Sequence, residues 1–311
     1  MTKKRLFEKI ETLKLVFLLS FAVLLLLNTR TVGLATEKGL RLCCSVIVPS
    51  LFPFFILSRM ISPFLIRTNT ENRSVFTKLF HISPSGRSAL LLGLISGFPI
   101  GAKTASSLYR SEDISREEAY RLLSFCNNTG PAFVIGTVGT LFRSLPFGIF
   151  LYFLQIFIAS LTGIALGIGK KETIPKKCFP NKKSETSPSF SEIVLDSGVS
   201  VLKVCAFIIA FQILLGIASS IIKNPFFFAF SASLLEIGSA VSAAEELLSV
   251  SPSIAASLAA FSVSFSGFSV FMQSETFLKE ADLSVFPTVP VKILQGLLSA
   301  IIAFFASPLF F

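Results

Sequence analysis

The sequence contains no tryptophan, one histidine and few charged residues for its length. Asp, Glu, Lys and Arg make up 15% of the 311 residues, whereas a soluble domain typically carries about 25%. Because so few charges cannot coat a water-soluble globule of this size, the composition excludes a soluble enzyme. The hydrophobic fraction of 52% and the mean hydropathy of +0.75 indicate a membrane protein instead.

Metal-binding and nucleophilic side chains are equally scarce. The five cysteines form no Cys-x-x-Cys pair, and His81 is the only histidine. The sequence therefore gives no basis for a zinc site, a disulfide framework or a histidine-activated nucleophile. We expect no enzymatic activity and no cofactor or metal. Four cysteines lie in apolar segments as small hydrophobic residues, while Cys178 lies in a lysine-rich stretch without such an explanation.

The charge is unbalanced, with 28 Lys and Arg against 18 Asp and Glu and a net charge of +10. No aromatic-studded basic groove accompanies this excess, so we expect no nucleic acid partner. We interpret it as the bias of cytoplasmic loops in a membrane protein. Residues 170–183 contain six lysines, and residues 3–9 contain four cations. Both segments are predicted to be cytoplasmic.

Apolar runs long enough to cross roughly 30 Å of hydrocarbon recur along the chain. Predicted spans cover about residues 13–28, 34–62, 145–168, 194–222 and 290–310. The first is followed by Arg30 without a small-residue cleavage site, which favours an uncleaved span over a signal peptide. Pro49 and Pro53 predict a kink in the second.

Three further apolar segments are interrupted by residues that break helices. Gly97, Pro99 and Gly101 interrupt residues 88–108, which predicts a re-entrant hairpin. Residues 116–143 begin with a Ser115-x-x-Glu118 capping box and are broken at 127–131, and residues 252–277 are broken at 264–269. Interruptions at corresponding positions of two halves indicate a transporter binding site.

The two halves of the sequence correspond. Residues 35–57 resemble residues 194–216, and Ser-Phe precedes the break in each half. According to the lysine distribution, the first half begins on the non-cytoplasmic side of the membrane and the second half begins on the cytoplasmic side. The predicted fold class is an all-α polytopic membrane protein with inverted repeats, re-entrant hairpins and broken transmembrane helices. The predicted divisions are an N-terminal transmembrane helix 1–30, a first repeat 31–169, a cytoplasmic linker 170–190 and a second repeat 191–311.

A broken helix exposes free N–H groups where its second part begins, and the helix dipole makes that end attractive to anions. We therefore predict a binding site between the halves, although the same polar residues could merely satisfy the freed backbone. The predicted substrate-binding residues are Gly97, Pro99, Gly101, Lys103, Asn127, Asn128, Thr129, Gly130, Ser266, Gly267, Ser269 and Gln273.

Charged residues near the interruptions extend this prediction. Lys103 is the predicted counter-charge, or else a side chain that reaches the membrane surface from the end of the hairpin. Glu236 and Glu275 are candidates for pairing with Lys103 or for carrying a coupling ion, whereas Glu245 and Glu246 are expected to face water. Glycines at 93, 97 and 101 have the spacing of a close helix contact.

Four stretches resemble the sporulation integral membrane proteins of endospore-forming Firmicutes, which belong with the nucleoside-recognition, or Gate-domain, superfamily. They are residues 47–56, 93–103, 117–139 and 261–273. The resemblance implies a fold similar to concentrative nucleoside transporters and a role in moving a small anion, of the dipicolinate class, towards the forespore. The second break departs from the family pattern at residues 266–268 and 271–272. Because of this departure, the resemblance does not imply a proton-carrying residue at these positions.

We therefore expect a sporulation-associated transporter that moves a small anionic, dipicolinate-like solute by alternating access. Its expected location is the bacterial cytoplasmic membrane or the outer forespore membrane, with a cytoplasmic N-terminus. The expected partners are the solute and the lipid bilayer, and a homo-oligomer is left open. The alternatives are a nucleoside transporter, with Glu236 and Gln273 near the ribose, and a non-transporting membrane scaffold of the spore envelope.

Overall fold

The computed structural model describes residues 3–67, 75–170 and 189–311, and these ranges contain helices and no strand. Most of the predicted linker, with Cys178, lies outside the described residues. The helices are α1 (Lys3–Leu27), α2 (Thr29–Leu42), α3 (Val48–Arg67), α4 (Val75–Phe80), α5 (Gly86–Ser96), α6 (Ile100–Arg110), α7 (Arg116–Cys126), α8 (Gly139–Leu141), α9 (Leu145–Gly167), α10 (Phe190–Ile221), α11 (Pro225–Leu235), α12 (Ile237–Glu245), α13 (Pro252–Phe265), α14 (Gly267–Leu278) and α15 (Val289–Ala306). Shorter turns of π-helix cover Cys43–Ile47 and Ala132–Val138, and 3₁₀ turns cover Lys279–Ala281, Phe286–Thr288 and Ser307–Leu309.

Five helical segments of the described chain are long and apolar enough to cross a membrane. They are Thr29–Ile61, Leu145–Gly167, Phe190–Ile221, Pro252–Ala281 and Phe286–Leu309. This confirms the prediction of an all-α polytopic membrane protein. The N-terminal stretch 13–28 is not among them. It forms most of α1, where Leu13, Phe17 and Leu27 are exposed, and its status as a span stays a prediction.

The broken segment Pro252–Ala281 is the most deeply buried of these five helical segments. Its most apolar stretch is 78% buried, whereas the corresponding values for the other four segments are 22–39%. A break in a lipid-facing helix would leave backbone N–H and C=O groups in hydrocarbon without partners. The interior position removes this problem, because the rest of the protein surrounds the break.

The two halves contain the same types of structural element in the same order. A long helix (α2–α3) is followed by a hairpin (α5–α6), an interrupted helix (α7–α8) and a second long helix (α9). The second half repeats this order as α10, α11–α12, α13–α14 and α15. Each hairpin helix has at most 11 residues, or about 17 Å, so neither hairpin crosses roughly 30 Å of hydrocarbon.

The first long helices of the two halves run antiparallel along each other. Gly39 approaches Ile209, Cys43 Sγ lies 3.7 Å from the carbonyl of Cys205, and Arg59 pairs with Asp196. Residue numbers therefore rise along one helix as they fall along the other. Equivalent elements that run in opposite directions are what an inverted repeat requires. The exact repeat boundaries stay predictions.

A change in helical winding lies directly before Pro49 and Pro53, for which a kink is predicted, and the kink itself stays a prediction. A π-helical turn, Cys43–Ile47, joins α2 to α3, and the helix then continues through both prolines to Arg67. Proline donates no backbone hydrogen bond, and single π-helical turns accommodate such irregularities within a continuous helix.

Candidate functional site

The first break begins where α7 ends at Cys126 and lasts until the π-helical turn starts at Ala132. Ser115 caps the N-terminus of α7 by accepting a hydrogen bond from Glu118 N at 3.1 Å, which is one half of the predicted capping box, while Glu118 Oε1 accepts from Ser83 N at 2.7 Å. Residues 127–130, between α7 and the π-helical turn, are non-helical as predicted, whereas Pro131, predicted to belong to the break, already has helical backbone angles.

Side chains satisfy the backbone groups that this break sets free. Asn128 Nδ2 donates to the carbonyl of Phe125 at 2.6 Å, and Gln295 Nε2 of α15 donates to the carbonyl of Ser124 at 3.0 Å. Gln155 of α9 contacts Thr129 twice, accepting from its N–H at 3.3 Å and donating to its carbonyl at 2.8 Å. Part of the polar content of the break therefore maintains its backbone.

The tip of the first hairpin packs directly on the first break. Phe98 N donates to the carbonyl of Asn128 at 2.7 Å. A Cβ atom on Gly97 would lie 2.4 Å from Gly130 N, and one on Gly93 would lie 2.0 Å from the carbonyl oxygen of Cys126. Gly101 approaches the same oxygen. The glycine spacing thus serves close packing, as predicted, because backbone meets backbone there.

The second break is tighter than the first. It is formed by Ser266 and Gly267, both with positive φ (76° and 83°), between the end of α13 and the start of α14. A Cβ on Gly267 would lie 3.1 Å from the carbonyl oxygen of Leu235, the residue before the turn of the second hairpin. Each hairpin tip therefore covers the break of its own half.

Glu236 occupies the tip of the second hairpin, between α11 and α12. Its carboxylate accepts hydrogen bonds from Gly238 N at 2.8 Å and Ser239 N at 2.7 Å, which caps α12, and the residue is 1% exposed. The carboxylate is therefore occupied by backbone N–H groups of its own helix. In the described part of the chain, Glu236 forms no ion pair with Lys103, the partner that the sequence analysis considers for it.

The first break contacts the two helices that flank the second break. Asn127 Nδ2 donates to Ser274 Oγ of α14 at 3.0 Å, and Thr129 Oγ1 donates to the carbonyl of Val263 at 2.7 Å. Gln273 Nε2 donates to Ser269 Oγ at 3.1 Å on the same helix. All of these side chains are buried. Asn127 and Thr129 thus contact the second half through Ser274 and Val263, which the sequence prediction does not name, whereas the predicted residues Ser269 and Gln273 contact each other.

Three buried oxygens at these breaks have no hydrogen-bond partner in the described chain: Asn127 Oδ1, Ser266 Oγ and Gln273 Oε1. Each belongs to a residue at most 2% exposed. A buried polar atom without a partner is uncommon in proteins and calls for an explanation. Unused hydrogen-bonding capacity is a property of a site that binds polar groups of a solute.

Lys292 of α15 is a buried cation that the sequence prediction missed. It is 1% exposed, and its Nζ donates to Asn128 Oδ1 at 2.9 Å. No carboxylate of the described residues lies within 4.0 Å of it. The sequence does contain a signal for this residue, because Lys292 is the only charged residue between positions 286 and 309 of an otherwise apolar span. Its neighbour in the first break is 164 positions away in the sequence.

The other charged candidates contact different parts of the protein. Lys103 is half-buried with Nζ 5.4 Å from the centroid of the Phe277 ring, which Lys203 also approaches, at 5.2 Å. Glu275 accepts from Ser284 Oγ at 3.1 Å and Val285 N at 2.8 Å, which fixes the segment after α14. Glu246 is exposed and Glu245 half-buried.

Comparison with known proteins identifies a bacterial relative. The chain is similar to the protein named "Sporulation integral membrane protein YlbJ" of Bacillus subtilis (strain 168), with 29% identity in an alignment of 310 positions that covers 86% of this chain and 75% of the relative. No family model and no solved structure matches the chain. The similarity supports the resemblance to sporulation membrane proteins. It leaves the nucleoside-recognition superfamily untested.

Proposed function

We propose that the chain, like its relative from Bacillus subtilis, is a sporulation integral membrane protein, and that it transports a small anionic solute of the dipicolinate class by alternating access. The observation that carries this proposal is the contact of the first helix break with the two helices that flank the second break. Asn127 and Thr129 of the first half bond to Ser274 and Val263 of the second. Broken helices that face each other across two inverted halves are the arrangement in which transporters bind solutes near the membrane midplane.

The breaks favour an anion over a cation or a neutral solute. α14 begins at Gly267 within the second break, and the N-terminus of a helix carries partial positive charge and free N–H groups. Neutral amide and hydroxyl groups surround this end, and the buried carboxylate nearest to the break in sequence, Glu236, is held by backbone N–H groups. The positive potential at the N-terminus of α14 would therefore stabilise a negatively charged solute.

Alternating access requires the two halves to separate at one membrane face and then at the other. The polar residues of the breaks are buried here, so a solute reaches them only after such a movement. Arg110 pairs with Glu280 at 3.1 Å, and Arg116 donates to the carbonyl of Asp282 at 3.2 Å. Both contacts join the first half to the second. Exposed pairs of this kind contribute about 1 kcal/mol or less, so they can open readily.

The lysine distribution supports the proposed orientation. With residues 170–183 on the cytoplasmic side, Arg110 and Arg116 lie on that side as well. The contacts of these two arginines with the second half would then close the cytoplasmic entrance. The membrane that we propose is the cytoplasmic membrane or the outer forespore membrane, with the N-terminus in the cytoplasm.

Solute uptake into liposomes tests the proposal. We expect liposomes that contain the purified protein to take up dipicolinate faster than empty liposomes, and to take up uridine no faster. Uptake of uridine instead would favour a nucleoside transporter. Folded, monodisperse protein that moves neither solute would contradict the proposal and favour a membrane scaffold.

A further inference from the structure

Lys292 lies where the two halves meet and has an unusual set of partners. It projects from α15 of the second half to Asn128 in the break of the first half, with 2.9 Å between Nζ and Oδ1. Its side chain is among the largest that are fully buried. An ammonium group has three N–H donors, and in the described chain it contacts a single, neutral acceptor.

A buried ammonium in a membrane protein normally pairs with a carboxylate or binds several carbonyl groups. The described residues provide no carboxylate within 4.0 Å of Lys292. Asn128 cannot compensate the positive charge, although its orientation is well fixed. Its Nδ2 donates to the carbonyl of Phe125 at 2.6 Å, which turns Oδ1 towards Lys292.

Gln295, three positions further along α15, is a buried polar residue with a structural role at the same interface and can be compared with Lys292. It is also 1% exposed, yet its Nε2 donates to both the carbonyl of Ser124 and the hydroxyl of Thr162. Gln295 thus completes the backbone of the first break, whereas Lys292 leaves donors and a charge unmatched. The difference points to a partner for Lys292 that comes from outside the chain.

We propose that Lys292 binds a carboxylate of the transported solute and that Asn128 positions its ammonium group. This inference rests on the proposed function and gives it a specific anion-binding residue. The unpartnered oxygens of Asn127 and Gln273 lie near the same breaks, where they would accept hydrogen bonds from water that accompanies the solute, because a dicarboxylate such as dipicolinate has no hydrogen-bond donor of its own. The ammonium group of Lys292 thus assigns the solute to the small organic carboxylates.

Binding of dipicolinate to the purified full chain tests this assignment. Calorimetry and thermal stabilisation are measured with dipicolinate and with its neutral diamide, pyridine-2,6-dicarboxamide. We expect the wild type to bind the dianion and not the diamide. Lys292→Met should weaken dipicolinate binding about tenfold or more, because a charge-assisted hydrogen bond is lost. Lys203→Met is the control and should bind within about twofold of the wild type, because Lys203 is exposed and its ammonium group lies over the ring of Phe277.

A second variant retains the lysine. Asn128→Asp places a carboxylate beside Nζ, where it competes with the solute for the ammonium, so dipicolinate binding should again fall about tenfold or more. This variant decides the question if Lys292→Met fails to fold. Unchanged binding in either folded variant, with a wild type that binds dipicolinate, overturns the role of Lys292 and leaves the proposed transport intact. A wild type that binds no dipicolinate overturns both.

Discussion

Asn127 and Ser274 connect the two halves of the protein through a buried hydrogen bond of 3.0 Å from Nδ2 to Oγ. The first residue lies in the first helix break and the second on α14, about two turns beyond the second break. This bond links the first interruption to the helix that begins at the second. It must break or rearrange if the halves move apart around a solute.

The two side chains should therefore be energetically coupled. In a double-mutant cycle of Asn127→Ala and Ser274→Ala, we expect a coupling energy of about 1 kcal/mol in the free energy of unfolding in detergent. Thr140 is a suitable control, because its hydroxyl bonds to the carbonyl of Gly136 on its own helix. Asn127→Ala and Thr140→Ala should be additive. Additivity between Asn127 and Ser274 as well would argue against the contact.

The close approach of the first hairpin to the first break predicts a strong effect of a single methyl group. A Cβ on Gly93 would lie 2.0 Å from the carbonyl oxygen of Cys126, so Gly93→Ala should destabilise the protein by about 2 kcal/mol or more. Gly33 is an exposed helical glycine with no atom within 4 Å of such a Cβ. Gly33→Ala should leave the unfolding temperature unchanged or raise it. Equal stabilities of the two variants would contradict the packing described.

Glu236 should act chiefly through the second hairpin. Its carboxylate caps α12 by accepting from two backbone N–H groups, and loss of a cap costs about 1 kcal/mol. We expect Glu236→Ala to lower the unfolding temperature, whereas Glu246→Ala, at an exposed position after the same helix, should not. A Glu236→Ala variant as stable as the wild type would show that the cap contributes nothing.

The interruptions could be predicted because their signals are local. Gly, Pro and Asn within apolar runs identify the breaks at 127–131 and 264–269 and the hairpin turn at Gly97–Pro99 from a few residues each. The second hairpin has no glycine or proline at its turn, where Glu236 stands between α11 and α12. From the sequence, residues 234–248 correspond to the first hairpin, but nothing local indicates that the second hairpin begins at Pro225.

The partners of buried polar residues could not be predicted in the same way. Lys292 meets Asn128 and Gln295 meets Ser124 only because α15 packs against the end of α7. Such a contact depends on the fold of both halves. Lys103 has the more conspicuous sequence position, beside a hairpin turn, yet its ammonium lies over the ring of Phe277.

The orientation of the chain can be tested with two single cysteines. Lys170 follows α9 at the edge of the lysine-rich linker, and Lys223 lies exposed between α10 and α11. In a background without the native cysteines, a membrane-impermeant maleimide should label Lys223→Cys from outside intact cells and Lys170→Cys only after the membrane is opened. The reverse pattern would invert the proposed topology, and labelling of both from outside would contradict an odd number of crossings between Lys170 and Lys223.

Counterflow in liposomes tests alternating access most directly. Liposomes that contain the protein are loaded with unlabelled dipicolinate and then diluted into a trace of labelled dipicolinate. A carrier whose single site faces one side at a time should accumulate the label transiently above its external concentration. Lys292→Met should abolish this overshoot, while Lys203→Met should retain it. Equilibration of the label without an overshoot, or no entry of label with folded wild-type protein, would contradict the account.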